Sequence, residues 1–371
     1  MKATFNRSAL LAACQLAAGA ASRRDVKPVL LNFKVSVAEN TTIMATDLEV
    51  GIIAKMMAVT VQEPGEALWP ITRSIAILRE VLDEEITVEC DQDSTVFASS
   101  NASFTMPGEE IGAFPSFVGL EPSEPCHLIK SGALHELLRR TTFAASSVGH
   151  SRFSATTGVF WNLKDSGAIL VATDGRRLAL ANSDAKQQGE HKTGPDTIVP
   201  TKALNLLARC LADDDESVKV RFGKSEAWFQ TERQTICTRL IEGRFPDYRK
   251  VIPNNKITAK VTTGPFMSAI RQAAMMTDDE SVRVVFEFGK KLTLSAGMSK
   301  GKAKIETPVE FADKPLTISF NPHLLLEYLK VLAPETEVTI KLPEGDKPAV
   351  LCTDDRYLYV VMPLVGGATN D

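Results

Sequence analysis

Pro70-Ile71-Thr72-Arg73-Ser74-Ile75-Ala76-Ile77-Leu78-Arg79-Glu80-Val81-Leu82, running on into Ile86-Thr87-Val88, decides the fold because the chain states its pattern three times. The second statement is Pro200 with Thr201-Lys202-Ala203-Leu204-Asn205-Leu206-Leu207-Ala208-Arg209-Cys210-Leu211, then Val218-Lys219-Val220-Arg221-Phe222. The third is Pro322 with His323-Leu324-Leu325-Leu326-Glu327-Tyr328-Leu329-Lys330-Val331-Leu332, then Val338-Thr339-Ile340-Lys341-Leu342. Proline fits the first turn of a helix, where the missing N–H has no intrahelical acceptor and the ring pre-sets φ. Apolar residues then recur at three- and four-residue spacing, as at Ile75, Leu78 and Leu82 or Leu325 and Leu329, which buries one helix face. The next segment switches to period two, the pattern of a strand with one face buried.

A second helix precedes each of these, at Ser8 to Ala18, Gly132 to Ala145 and Pro265 to Met276. Two helices and several strands per copy predict an α+β unit, its helices packed on antiparallel sheet. A period of about 125 residues is domain-sized, whereas solenoid repeats run to about 20–50. The 371 residues therefore divide into three similar domains, expected at 1–124, 125–253 and 254–371.

Composition excludes several classes. At 44% hydrophobic and 24% charged, the chain reads as an ordinary globular protein. Met1 to Ala21 holds Asn6, Arg7 and Gln15 among its alanines, so it reads as an amphipathic helix and not as a signal peptide or membrane span. Cys14, Cys90, Cys126, Cys210, Cys237 and Cys352 stand far apart without a CxxC pair, which predicts reduced thiols in a cytoplasmic protein. The five histidines are equally scattered, so no metal site and no cofactor is expected. The net charge of −4 hides an uneven distribution. Arg7, Arg73, Arg79, Arg139, Arg140, Lys202, Arg209, Arg271 and Lys330 fall in the helices, while acids gather in turns such as Asp213-Asp214-Asp215-Glu216 and Asp278-Asp279-Glu280. A basic helical layer inside an acidic shell is suited to hold a phosphate backbone.

No nucleophile elbow, P-loop, zinc-protease or dinucleotide motif is present, so catalysis is not expected. Three local sequences are more specific. Val171-Ala172-Thr173-Asp174-Gly175-Arg176-Arg177-Leu178-Ala179 is a strand broken by a tight Asp-Gly turn. Glu242-Gly243-Arg244-Phe245-Pro246-Asp247-Tyr248-Arg249-Lys250-Val251-Ile252-Pro253 closes the second copy, and Tyr359-Val360-Val361-Met362-Pro363-Leu364 lies almost at the C-terminus. In order and in their respective copies, with Thr46-Asp47-Leu48-Glu49 and Phe320-Asn321, they resemble the bacterial sliding clamp, the beta subunit of DNA polymerase III, over essentially the whole chain.

The resemblance implies a non-enzymatic processivity factor of three clamp domains per chain. Two chains join head to tail into a homodimeric ring, helices lining the hole around double-stranded DNA. It implies a pocket between the second and third domains for short peptides of the polymerase III alpha subunit, the clamp-loader delta subunit and other proteins with a clamp-binding motif. The wall of that pocket would be Thr173, Gly175, Arg176, Arg177, Leu178, Pro246, Lys250, Val251, Val360, Val361, Met362, Pro363 and Leu364. Apolar groups and adaptable Met362 would anchor leucine or phenylalanine side chains, and the cations would meet carbonyls or acids. DNA-facing positions would be Arg24, Arg73, His150, Arg152, Phe153 and Lys202, and the dimer interface would set Phe104 and Met106 against Met275 and Met276. The chain departs from the family pattern at Ser154-Ala155-Thr156-Thr157-Gly158, one residue longer than usual, at Thr201, and in the tail Val365 to Asp371. The alternative reading is a triplicated-domain enzyme with an active site at a domain junction, which requires converging acids or a nucleophile there.

Overall fold

The computed structural model describes residues 1–21, 27–115, 124–147, 149, 153–211, 215–277, 282–298, 301–343, 345, 347–354 and 356–364. Its elements follow one order three times. The first unit runs β1 (Lys2–Asn6), α1 (Arg7–Ala17), β2 (Asn32–Val37), β3 (Thr42–Thr46), β4 (Val50–Lys55), β5 (Thr60–Glu63), β6 (Gly65–Pro70), α2 (Ile71–Glu80), β7 (Glu85–Cys90), β8 (Ser94–Ala98) and β9 (Ser103–Pro107). The second runs β10 (Cys126–Lys130), α3 (Ser131–Thr141), β11 (Gly158–Lys164), β12 (Gly167–Thr173), β13 (Arg177–Asp184), β14 (Lys186–Gln188), β15 (Ile198–Pro200), α4 (Thr201–Cys210), β16 (Ser217–Phe222), β17 (Glu226–Gln230) and β18 (Gln234–Arg239). The third runs β19 (Ile257–Thr262), α5 (Thr263–Ala274), β20 (Val284–Phe288), β21 (Leu292–Met298), β22 (Gly301–Thr307), β23 (Glu310–Phe311), β24 (Leu316–Phe320), α6 (Pro322–Leu329), β25 (Glu337–Leu342), β26 (Ala349–Asp354) and β27 (Tyr357–Val361).

The predicted helices and strands form, with shifted ends, except that Lys2–Asn6, read within an amphipathic helix over Met1 to Ala21, is the strand β1 and the helix begins at Arg7. Pro322 occupies the first turn of α6, but Pro70 and Pro200 are N-caps and the last residues of their strands. At that position proline's fixed φ carries the chain from strand to helix without a loop. The third helix stops at Leu329 and not at Leu332. Asn6 and Asn321 cap α1 and α6, accepting from Ala9 N and His323 N at 3.0 Å each, which satisfies donors that the first turn leaves open.

Each unit contributes two antiparallel half-sheets, one ordered β5-β1-β7-β8-β9 and the other β4-β3-β2-β6 in the first unit's labels. Its first helix packs into the angle between them. An aromatic trio anchors each core: Trp69 with Phe5 and Phe97, Trp161 with Phe222 and Phe229, and Phe286 with Phe266 and Phe320. Such tilted and edge-on ring pairs each add about 0.5–1.5 kcal/mol beyond their buried area.

Half-sheets of successive units fuse. β18 pairs antiparallel with β4, Ile236 opposite Ile52, and β13 pairs with β27, Ala179 opposite Tyr359, giving two nine-stranded sheets. Left over are the five-stranded half of the first unit, with β9 at its edge, and the four-stranded half of the third, with β22 at its edge.

The same turn stands beside both fusions. Thr46 Oγ1 donates to Val50 O at 2.9 Å, and Asp47 Oδ1 accepts from Glu49 N and Val50 N. Thr173 Oγ1 donates to Arg177 O at 2.6 Å, and Asp174 Oδ1 accepts from Arg176 N and Arg177 N. The central residue is left-handed in each, Leu48 at φ 77° and Gly175 at φ 86°. Each turn also reaches an ion pair across its junction, Asp47 with Lys202 at the start of α4, and Arg177 with Glu327 on α6.

Candidate functional site: a cavity at the second junction

The turn between β12 and β13 sets one rim of a cavity of about 270 Å³. Gly175 takes its left-handed φ without a Cβ penalty, and its N–H donates to Thr173 Oγ1 at 3.1 Å. Arg177, buried apart from a small remainder, is committed on every side. Its Nε donates to Asp174 Oδ2 at 3.0 Å, one terminal nitrogen pairs with Glu327, the other donates to Phe143 O at 2.8 Å, and the guanidinium lies 5.4 Å over the Phe143 ring. Burial opposes its charge, but Tyr359, Glu327 and Asp174 more than offset that and raise its pKa above the ordinary arginine value. Arg177 thus braces the junction, while Arg176 stays exposed at the mouth.

The floor is Leu178, Tyr248 and Val360, all nearly inaccessible, over an apolar cluster with Phe160, Val171, Ile198, Phe245 and Val350. Phe245 stacks on Phe160 at 5.2 Å, so the segment closing the second unit is pinned to that unit's sheet and carries Pro246 and Val251 to the rim. Phe153, Val251 and Met362 are 72%, 52% and 41% exposed, large apolar side chains around one opening. An exposed apolar cluster with polar groups on its rim is what a protein-binding site looks like.

Of the residues expected in the wall, Thr173, Gly175, Arg176, Arg177, Leu178, Pro246, Val251, Val360 and Met362 line this cavity. Val361 does not: it is fully buried, because neighbours on a strand face opposite sides and Val360 and Met362 take the cavity side. Pro363 and Leu364 have already left it, Leu364 N donating to Ser319 O beside β24. Lys250 lines an adjoining cleft. Sequence reasoning missed Thr156, Tyr248 and Pro348, and it assigned Phe153 to DNA although this side chain stands at the cavity mouth. In the stretch before β11, Ala155 lies in the apolar cluster and Thr156 in the cavity wall.

Elsewhere, Arg24, His150 and Arg152 lie outside the described residues. Arg73 is exposed on α2. Lys202, expected to be a free lining cation, is held by Asp47 of the first unit, a partner too remote in sequence to foresee. Met106, expected at an interface, is buried in the core of its own unit with Phe104 half-buried beside it, because the face of β9 that carries both turns inward. Met275 is 74% exposed, and Met276 reaches Gly301 at the start of β22. All six cysteines are free, three buried and three half-buried. No helix among the described residues is long and apolar enough to cross a membrane.

Three like units fused edge to edge, with an apolar recognition cavity at one fusion, define a clamp-type scaffold. Comparison with known proteins makes this specific. Family profiles of the DNA polymerase III beta subunit match all along the chain, the N-terminal domain at residues 1–118, the central domain at 128–247 and the C-terminal domain at 249–365. The beta sliding clamps of Pseudomonas putida and Pseudomonas aeruginosa are 30% and 28% identical, each aligned over 98% of this chain and 100% of its own length. Among solved structures, the Pseudomonas aeruginosa sliding clamp bound to griselimycin superposes with a TM-score of 0.90 at 27% identity, covering 99% of this chain and 100% of that one. The Thermotoga maritima beta subunit superposes at 0.88 and 25% identity, with the same coverage. The chain belongs to the DNA polymerase III beta subunit family and is a sliding clamp, a non-catalytic processivity factor.

Proposed function

We propose that two copies close head to tail into a ring around duplex DNA, and that the cavity between the second and third units tethers the replicative polymerase by capturing a short peptide. One observation carries the ring. Both internal junctions join the last strand of one unit to the β4-type strand of the unit before it, and the strands left without such a partner are β9 and β22. Pairing β9 of one copy with β22 of another completes a third nine-stranded sheet by the same rule. Phe104, Met275 and Met276 then flank that seam, with Met106 packed beneath it in the core of the first unit, and the units divide at 124/125 and 253/254. Heterologous contacts of this kind form closed rings when the rotation closes.

Exposed Arg73, Arg79, Lys202, Arg209 and Arg271 on the helices and Lys330 at the C-cap of α6 would face the duplex, as would Arg24, His150 and Arg152. Phosphate contacts of this kind hold DNA without reading its sequence, so the ring slides. The peptide pocket is built on Thr173, Gly175, Arg176, Arg177, Leu178, Pro246, Val251, Val360 and Met362, with Lys250 beside it. Its ligands would be segments of the polymerase III alpha subunit, the clamp-loader delta subunit and other proteins carrying a clamp-binding motif, in the cytoplasm. Tethering raises the polymerase's effective concentration at the primer end, so a modest peptide affinity supports long synthesis. The test is loading onto nicked circular DNA with a clamp loader, followed by linearisation in high salt. Retention on circles and loss from linear ends is expected, and equal loss from both would overturn the ring.

A further inference from the structure

The cavity does not end at Val251. A second cleft, of about 490 Å³, shares Val251, Pro348 and Met362 with it and continues between Lys250, Pro253, Asn254, Asn255 and Lys347. The character changes across those shared residues. The first compartment is almost wholly apolar inside, with Leu178, Val360 and Tyr248 beneath it. The second is lined by two lysines and two asparagines and by no carboxylate among the described residues. Asn255 gives its amide N–H groups to Lys341 O at 3.0 Å and Pro348 O at 2.9 Å, which fastens the strip 253–255 to β25 and to the loop before β26 and gives the cleft a fixed wall.

Charge follows the same gradient. Arg249, Lys250, Lys256 and Lys347 are all exposed around this end, and the run 249–256 holds no acid. Lys250 is loosely paired with Asp247 at 3.2 Å, both side chains largely in solvent, a contact easily exchanged for another carboxylate. Lys347 makes no ion pair among the described residues.

We propose that this second cleft selects partners whose peptide carries acidic residues flanking its apolar anchor. The proposal rests on the peptide-capture reading of the first cavity and adds to it the chemistry of the flank. A peptide seated by its anchor on Val360 and Met362 must leave over one of the rims, and over the Val251–Pro348 rim its next residues meet Lys250 and Lys347. An exposed lysine–carboxylate pair changes binding by about twofold to fivefold, and two together by about tenfold at low salt. The contribution is one of partner ranking, since the anchor supplies most of the affinity.

The experiment uses the full-length protein and three fluorescein-labelled synthetic peptides with one Leu-Phe anchor. One has serine on both flanks, one has Asp-Glu on the N-terminal flank, and one has Asp-Glu on the C-terminal flank. Anisotropy at low and high salt should find one acidic peptide about tenfold tighter than the serine peptide at low salt, with the advantage lost at high salt. Lys347→Glu should remove most of that advantage and leave the serine peptide's affinity unchanged. Equal binding of all three peptides, or an acidic advantage that survives in K347E, would overturn the inference while the pocket stands. Failure of the serine peptide to respond to Val360→Asp would instead refute the pocket reading, and the inference with it.

Discussion

Lowering the pH should loosen the middle unit before either of its neighbours, through two histidines with no part in the cavity. His127 on β10 and His191 before β15 are both buried, with their Nδ1 atoms 2.7 Å apart. Phe222 N donates to His191 Nε2 at 2.8 Å, which makes that nitrogen an acceptor and puts the His191 proton on Nδ1. That proton is donated to His127 Nδ1, so His127 carries its own on Nε2 and donates it to Lys164 O at 3.0 Å. Every ring nitrogen is satisfied while both imidazoles are neutral, and adding a proton turns the central bond into two N–H groups facing each other. Burial, then His127 and Arg221, bring His191 down to about 4, and burial also lowers His127 against the pull of Lys164 O and Asp165.

A histidine whose pKa is lower in the fold contributes its full stability above its unfolded value of about 6.5 and loses it as the pH falls toward 4. For His191 that difference amounts to about 3 kcal/mol in all, and most of it is gone by pH 4.5. Amide hydrogen exchange on the intact protein measures it with internal controls, since β10, β11 and β16 have counterparts in β1, β2 and β7 and in β19, β20 and β25. Protection in the middle unit should fall by on the order of 2–3 kcal/mol between pH 7.5 and 4.5 relative to both neighbours, and His127→Gln with His191→Gln should flatten that difference. An equal decline in all three units, or the same decline in the double variant, would refute the assignment.

Three further outcomes are expected. Gly158→Ala would place a methyl 2.6 Å from Val199 O and 2.7 Å from Ile241 Cδ1, so calorimetry of the full chain should show the middle unit destabilised by about 3 kcal/mol, against no change for a tolerated substitution. Arg177→Ala should lower protection of β27 by about 2 kcal/mol, because it leaves Asp174 and Phe143 O without their partner at the junction, and Arg177→Lys should not restore it, since the three donors of an ammonium radiate from one nitrogen and cannot span acceptors spread around a planar fork. Thr105→Pro on β9 should shift sedimentation from dimer to monomer, whereas Val61→Pro on β5, the opposite edge of the same sheet, should leave the dimer intact. Equal effects from the two prolines would remove β9 from the seam.

The elements were largely legible in the sequence because they are local. Helical spacing after Pro70, Pro200 and Pro322 and the alternation in Val218 to Phe222 depend on neighbours a few residues away. The fusion of half-sheets was not legible, since the partner of Val50 is Thr238, and no local pattern encodes that pairing. The cavity was read through motif resemblance, which named its turn and floor. Alternation along Tyr359-Val360-Val361-Met362 puts Val361 on the face opposite Val360 and Met362, and it took the fold to show that the latter pair meets the cavity. The Lys202–Asp47 and His127–His191 pairings were missed for one reason. Asp47 and His191 are remote in sequence from their partners, and a scattered residue looks solitary until the chain has folded.

The Thr–Asp turn beside each internal junction also bears on how the assembly gives way. Asp47 grips Lys202 and Arg177 grips Glu327, so each internal seam has a strand pairing, an ion pair and a continuous chain. At the seam between copies the corresponding sequence is Met298-Ser299-Lys300-Gly301, with no aspartate to act as a bolt, and the residue after Ile71 on α2 is Thr72 where α4 offers Lys202. In the proposed ring that joint lacks the counterpart of the Asp47 and Arg177 ties that stand at the internal junctions. If two copies close as proposed, the seam between them is the joint without the chain continuity and the Thr–Asp turn that tie each internal junction, and the two internal junctions form the more rigid part of the ring.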